Sequence, residues 1–280
     1  MSMCLDNCPL NKSGFTVESL RNQENTVIHT LEAKARNGEH YCLSFAPVGN
    51  APNEPGVILV GKTPGLKTLN KFMRAYRSGL SIEISAFQSV YSEMKFALFN
   101  MLKAKTRFFE LMEFISPNYW KGKDKLSQWD AMFEGYENSQ DCGTQLTQSC
   151  NCCIHTSDSK EPSKKAFKEI SIKNPACLFS SFLISDKLKL IIFLDSPSKD
   201  ARIHPEYLFR STKMGQQLIE SNIAVTSFPH PSGASPLSNI NLLQDTERLI
   251  REYPNAYRAI ERTQEVIEEV IAESHNQKKH

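Results

Sequence analysis

The chain has 280 residues, 40% of them hydrophobic and 23% charged, with a formal net charge of +2. That length accommodates one large α/β domain or two small ones, and a single domain over residues 1–280 is the simpler expectation. The near-neutral balance excludes the uniformly basic surface of histone-like proteins, so any DNA must be met by a local basic patch.

No apolar run approaches the roughly 18 to 20 residues of a membrane helix, and Met1 to Leu10 lacks a basic-then-apolar leader. These features predict a cytoplasmic protein without membrane contact, in which the eight cysteines stay reduced.

Apolar residues from Val17 to Ala35 (Val17, Leu20, Val27, Leu31) recur at mixed helical spacings. They predict an amphipathic helix ending at Asn37-Gly38, within an N-terminal helical region 1–50. Gly56 to Val60 is a short continuous apolar run, hence a buried strand. The turn Gly61-Lys62-Thr63-Pro64-Gly65 follows at once, and a helical stretch begins at Leu66. Residues 81–115 are rich in Phe, Met and Leu, which predicts one or two helices packed in the core. Residues 117–165 turn polar around Trp120, Trp129 and a cysteine cluster, and read as loops about a short strand.

Lys189 to Asp195 is a second buried strand, and Ala224 to Phe228 another, running directly into Pro229-His230-Pro231-Ser232-Gly233-Ala234. The C-terminal tail 241–280 reads as one or two charged, solvated helices with pairs such as Glu247 and Arg251. Strands of parallel type alternating with helices predict an α/β fold. Its form is a three-layer α/β/α sandwich with a short, mainly parallel central sheet and a core over residues 55–240.

Ligands of such folds bind beyond the carboxyl ends of the strands. Both unusual loops follow predicted strands, so Gly61 to Gly65 and His230 to Gly233 are expected to face one cleft.

A strand ending in Gly61-Lys62-Thr63-Pro64-Gly65 and a later strand ending in Pro229-His230-Pro231-Ser232 resemble the two signature motifs of the uracil-DNA glycosylase superfamily. With the segment from Met94 to Leu102, they are similar to a poorly characterised bacterial branch of it. The resemblance implies a monomeric DNA glycosylase that needs no diffusible cofactor. Such an enzyme flips a pyrimidine out of DNA, hydrolyses its N-glycosidic bond and leaves an abasic site.

Cleavage of that bond builds positive charge on the sugar and negative charge on the departing base. The resemblance gives His230 the role of donor to the base O2, and Thr63 a catalytic position in the first motif. Gly61, Lys62, Pro64, Gly65, Ser232 and Gly233 form the phosphate- and base-binding loops, where small residues let backbone amides approach phosphate. Lys67, Lys71, Arg74 and Arg77 add a basic stripe, Tyr91 is the stacking candidate, and Thr147 and Gln148 fall where the superfamily reads the base edge.

Two departures stand out. Many relatives carry Asp, Asn or Glu in the first motif, where this chain has Lys62 and Thr63. A carboxylate must then come from elsewhere, with Asp195 as one choice, or positioning and electrostatics must suffice. The family's uracil-reading asparagine also has no clear equivalent in Thr144 to Ser149, although Asn151 is near. The target is therefore either uracil, in repair, or a hypermodified phage base such as glucosylated hydroxymethylcytosine, in antiviral defence. In the latter case residues 117–165 make room for the substituent.

Other classes remain open. A weak or inactive DNA-binding module can use the same loops. A zinc-stabilised interaction protein would draw on Cys142, Cys150, Cys152, Cys153 or His155, although their spacing fits no standard zinc pattern. An iron-sulfur cluster including Cys4 and Cys8 fits still less, and free cysteines are the plainer reading.

Overall fold

The computed structural model describes residues 30–34, 40–45, 52–63, 108–120, 143–150, 152–156, 178–195, 204–229 and 246–277. Seven strands run in chain order: β1 (Thr30–Lys34), β2 (His40–Phe45), β3 (Val57–Gly61), β4 (Thr144–Gln148), β5 (Cys152–Thr156), β6 (Leu190–Leu194) and β7 (Ala224–Phe228). The helices are α1 (Phe108–Ile115), α2 (Pro117–Trp120), α3 (Pro205–Arg210), α4 (Lys213–Glu220), α5 (Thr246–Glu252) and α6 (Pro254–Gln277).

Four strands form a parallel sheet in the order β4-β3-β6-β7. Val57 is level with Thr144 on one side and Leu190 on the other. This common start is fixed by the preceding turns. The N–H groups of Gly56 and Val57 both donate to the Gly143 carbonyl, and those of Lys189 and Leu190 to the Gly56 carbonyl. Strands that begin level also end level, so the loops after β3, β4, β6 and β7 leave one end of the sheet together.

The unbroken apolar sequences of β3 and β6 follow from burial on both faces. Val57, Leu59, Leu190, Ile192 and Leu194 pack with Leu146, with Phe108, Leu111 and Met112 of α1, and with Ile260, Ile267 and Ile271 of α6. Ile58, Val60, Ile191 and Phe193 face the opposite way, against Phe179, Phe182 and Phe209. The rings of Phe179 and Phe209 meet edge to face with centroids 5.2 Å apart. The sheet is parallel and packs against helices, as the alternation of elements predicts for an α/β fold.

Two expectations are corrected. Residues 30–34, expected to close an N-terminal helix within the region 1–50, instead form β1, which pairs antiparallel with β2. The cause is a tertiary partner: β2 lies between β1 and β5 in a second, three-stranded sheet. Such pairing overrides a local helical period. The C-terminal tail is helical, as expected, but it is more than a solvated surface. Ala256, Ile260, Ile267, Val270 and Ile271 of α6 are buried and complete the larger core cluster, and Thr263 and Ser274 are buried as well. Among the described residues, no helix is long and apolar enough to cross a membrane.

Candidate functional site

The chain passes from β3 to β4 on one side, then to β6 and β7 on the other, so the order reverses between β3 and β6. The carboxyl ends beside such a reversal form the crevice where open α/β sheets bind ligands. Gly61 closes β3 there, followed by Lys62 and Thr63, and Asp195 follows β6.

The start of the first loop is held firmly. Gly61 O accepts from the Ser149 N–H at 2.7 Å and from the Ser149 hydroxyl at 3.1 Å, and Lys62 O accepts from the Cys150 N–H at 3.3 Å. These bonds carry the contact between β3 and β4 past the strand ends. Lys62 Nζ then stands 4.0 Å from Asp195 Oδ2, with both side chains about three-quarters buried or more. The Asp195 N–H in turn donates to Phe228 O at 3.0 Å. The β3, β6 and β7 termini are thereby tied into one unit.

Gln148, the last residue of β4, is 6% exposed, and its Oε1 is buried without a hydrogen-bond partner among the described residues. Its amide lies where a Cβ on Gly61 would stand, so glycine at that position leaves the space the amide fills. An acceptor left unsatisfied in a buried place costs about 1 to 3 kcal/mol, and a ligand offering a donor recovers it. The two β4 residues expected to read a base therefore differ. Thr147 points to the opposite face, as adjacent strand residues must, and its hydroxyl is 2.7 Å from that of Ser181.

Gln145, on the same face as Thr147, is hydrogen-bonded at both ends of its amide. Its Nε2 donates to Ser181 O at 2.7 Å, and its Oε1 accepts from the Leu183 N–H at 2.9 Å. The sequence reading did not single out Ser149, Ser181 or the contact of Gln148 with Gly61. A small residue at one parallel strand end beside a long amide at the next was the available signal.

Of the expected site residues, Gly61, Lys62, Thr63, Thr147 and Gln148 lie at the carboxyl ends of β3 and β4, with Thr147 turned to the opposite face from Gln148. Pro64, Gly65, Tyr91, His230, Ser232 and Gly233 lie outside the described residues, as do the stripe from Lys67 to Arg77, Cys142 and Asn151. Pro229, immediately before His230, is buried just beyond β7.

Cys150, Cys152 and Cys153 are buried and form no disulfide. Cys152 and Cys153 are consecutive on β5, so they face opposite sides of that sheet. Among the described residues, no three His, Cys, Asp or Glu side chains gather as a metal ion requires.

A cavity of about 340 Å³ lies elsewhere. Asn53, Glu54, Gly143 and Lys187, which line it, all precede β3, β4 or β6, so it opens at the amino ends of the strands. Its exposed pair of Lys187 and Glu54 is a surface feature rather than part of the crevice.

Comparison with protein-family models, with curated proteins and with solved structures finds no match to the chain.

Proposed function

We propose that the chain is a DNA glycosylase of the uracil-DNA glycosylase type, a monomeric three-layer α/β/α enzyme that flips a pyrimidine out of DNA and hydrolyses its N-glycosidic bond. The observation that supports this reading is the shared direction of β3 and β7. Both belong to one parallel sheet with β6 between them, so the segments leading into Gly61-Lys62-Thr63 and into Pro229-His230 emerge at the same end.

In this reading the flipped base enters the crevice at the strand ends. Flipping costs a few kcal/mol, which phosphate contacts and the pocket must offset. The loop residues from Gly61 to Gly65, with Ser232 and Gly233, grip the backbone, and Tyr91 stacks on the base. The unpartnered amide of Gln148 meets the hydrogen-bonding edge of the pyrimidine. His230 donates to the base O2 as negative charge develops there, which typically contributes about 10²- to 10³-fold in rate. Thr63, next after Lys62 in the chain, is half-buried. The Gln148 amide offers a donor and an acceptor, so it suits the edge of uracil and that of a cytosine derivative alike.

Mass spectrometry of bases released from uracil-containing DNA, unmodified DNA and glucosylated phage DNA tests the proposal. Release of one modified base by the wild type, and not by His230→Ala, is the expected result. Binding to all three DNAs with release from none would favour instead a DNA-binding module that keeps the same loops. The absence of a carboxylate from the first motif is the feature that favours this second reading.

A further inference from the structure

A glycosidic bond whose sugar becomes cationic is cleaved more readily beside a carboxylate, and the first motif carries none. We infer that Asp195 supplies it. The carboxylate faces the sugar of the flipped nucleotide, steadies the developing positive charge and receives a proton from the attacking water. This inference rests on the glycosylase reading and adds to it a residue that neither motif contains.

Three features of the structure assign the role. Asp195 is the first residue beyond β6, and β6 lies between the strands that lead into the two motif loops. Its backbone is fixed there by the bond from its N–H to Phe228 O at 3.0 Å, two residues before His230. Its side chain turns the other way, toward β3, where Oδ2 lies 4.0 Å from Lys62 Nζ. The carboxylate thus stands at the carboxyl ends of β3 and β6, beside Lys62, and is one-fifth exposed. A separation of 4.0 Å is longer than a hydrogen bond, so the ammonium attracts the carboxylate without capping it.

The other described carboxylates are less suited. Glu54 and Asp186 precede β3 and β6 and so lie at the far end of the sheet. Glu206, on α3, accepts from Arg210 Nε at 2.9 Å and from the Ser227 hydroxyl, and is occupied in holding α3 to β7. Glu32 lies on β1 in the other sheet, Glu110 and Glu113 sit on α1, and the remaining described acids on α4, α5 and α6.

The reaction balances with these groups. The bond from C1′ to the base nitrogen breaks, and its electron pair leaves with the base, whose O2 accepts the hydrogen bond from His230. The water oxygen bonds to C1′ as its proton passes to Asp195, which then releases that proton to solvent or to the departing base. The products are an abasic sugar and the free base.

The test pairs kinetics with two inert abasic analogues in duplex DNA, a neutral tetrahydrofuran and a cationic pyrrolidine. Asp195→Asn keeps the shape and the backbone bond. It is expected to slow single-turnover base release by about 10²- to 10⁴-fold, to bind the tetrahydrofuran duplex as the wild type does, and to lose the wild-type preference for the pyrrolidine. Lys62→Met is expected to weaken both duplexes alike and to keep that preference, which separates the carboxylate's own role from one exerted through Lys62. Wild-type release rates in Asp195→Asn, or a pyrrolidine preference that survives the substitution, would overturn the assignment and leave the glycosylase reading intact. A wild type that releases no base from any DNA would remove both.

Discussion

The amide of Gln148 occupies the space that a Cβ on Gly61 would need, so the amide keeps this position only while residue 61 is glycine. Gly61→Ala must therefore push the Gln148 side chain out of the crevice floor. Overpacking of this kind costs about 1 to 3 kcal/mol. Thermal unfolding should show that loss, and base release should fall by roughly tenfold or more. In the Gly61→Ala, Gln148→Ala double variant the stability should largely return while activity stays low, because the clash has gone but the amide has gone with it. Additive losses in the double variant would mean that the two residues do not share the space.

The structure also predicts where the support of β7 lies. Glu206 is 12% exposed at its side chain and gathers Arg210 Nε at 2.9 Å, the Ser227 hydroxyl and, at 3.9 Å, Arg262 of α6. Arg210 also donates to Val225 O at 2.7 Å, so a single acid links α3, β7 and α6. Removing one member of a buried pair is costly, but Arg210 is one-third exposed and Arg262 more so, which screens the effect. Glu206→Ala is expected to lower stability by about 1 to 3 kcal/mol in urea unfolding, while Arg262→Ala costs under about 1 kcal/mol. Equal losses in the two variants would contradict this ranking.

The legible part of the fold was the part whose physics is local. Val57 to Val60, Leu190 to Leu194 and Ala224 to Phe228 are apolar runs too short for helices, and all three are strands of the parallel sheet. The segment Thr30 to Lys34 misled because Leu31 continues a helical spacing from earlier residues, whereas its pairing partner, His40 to Phe45, is itself held by β5 more than a hundred residues away. Nothing local reports such a partner. At the site, glycine at a strand end pointed to a close approach, but which side chain approaches depends on register. The matching of Gly61 with Gln148 across β3 and β4 appears only when the strands are laid side by side. The same holds for Lys62 and Asp195, which are neighbours only through the pairing of β3 with β6.

The cysteines allow a separate test. Cys150, Cys152 and Cys153 are each at most 6% exposed, and Cys153 packs in the larger core cluster with Leu59 and Leu146. One ion cannot take both Cys152 and Cys153 while β5 keeps its pleat. We expect metal analysis of the purified protein to find less than one zinc per chain, and a chelator to leave the unfolding temperature unchanged. Stoichiometric zinc whose removal melts the protein would instead favour a zinc-stabilised interaction protein.

Two glutamines three residues apart on β4 offer the sharpest contrast between stability and function. Gln145 is satisfied at both ends by Ser181 O and the Leu183 N–H, and so pins the segment that leads into β6. Gln148 is also buried, yet its Oε1 has no partner among the described residues. Leucine at position 145 strands a partly buried donor and a partly buried acceptor and should cost about 1 to 3 kcal/mol, because water can take over part of each lost bond. Leucine at position 148 removes an acceptor that was already orphaned, so stability should hold or rise slightly. Activity should respond in the reverse order. Gln148→Leu should lose roughly ten- to a hundredfold in base release, the equivalent of the 1 to 3 kcal/mol that a satisfied buried group contributes. Gln145→Leu, assayed well below its unfolding temperature, should retain most of its rate. Denaturant unfolding and single-turnover release on the same two proteins decide the matter. If Gln148→Leu proves the less stable of the pair and keeps full activity, the amide is a packing element and not the group that meets the base.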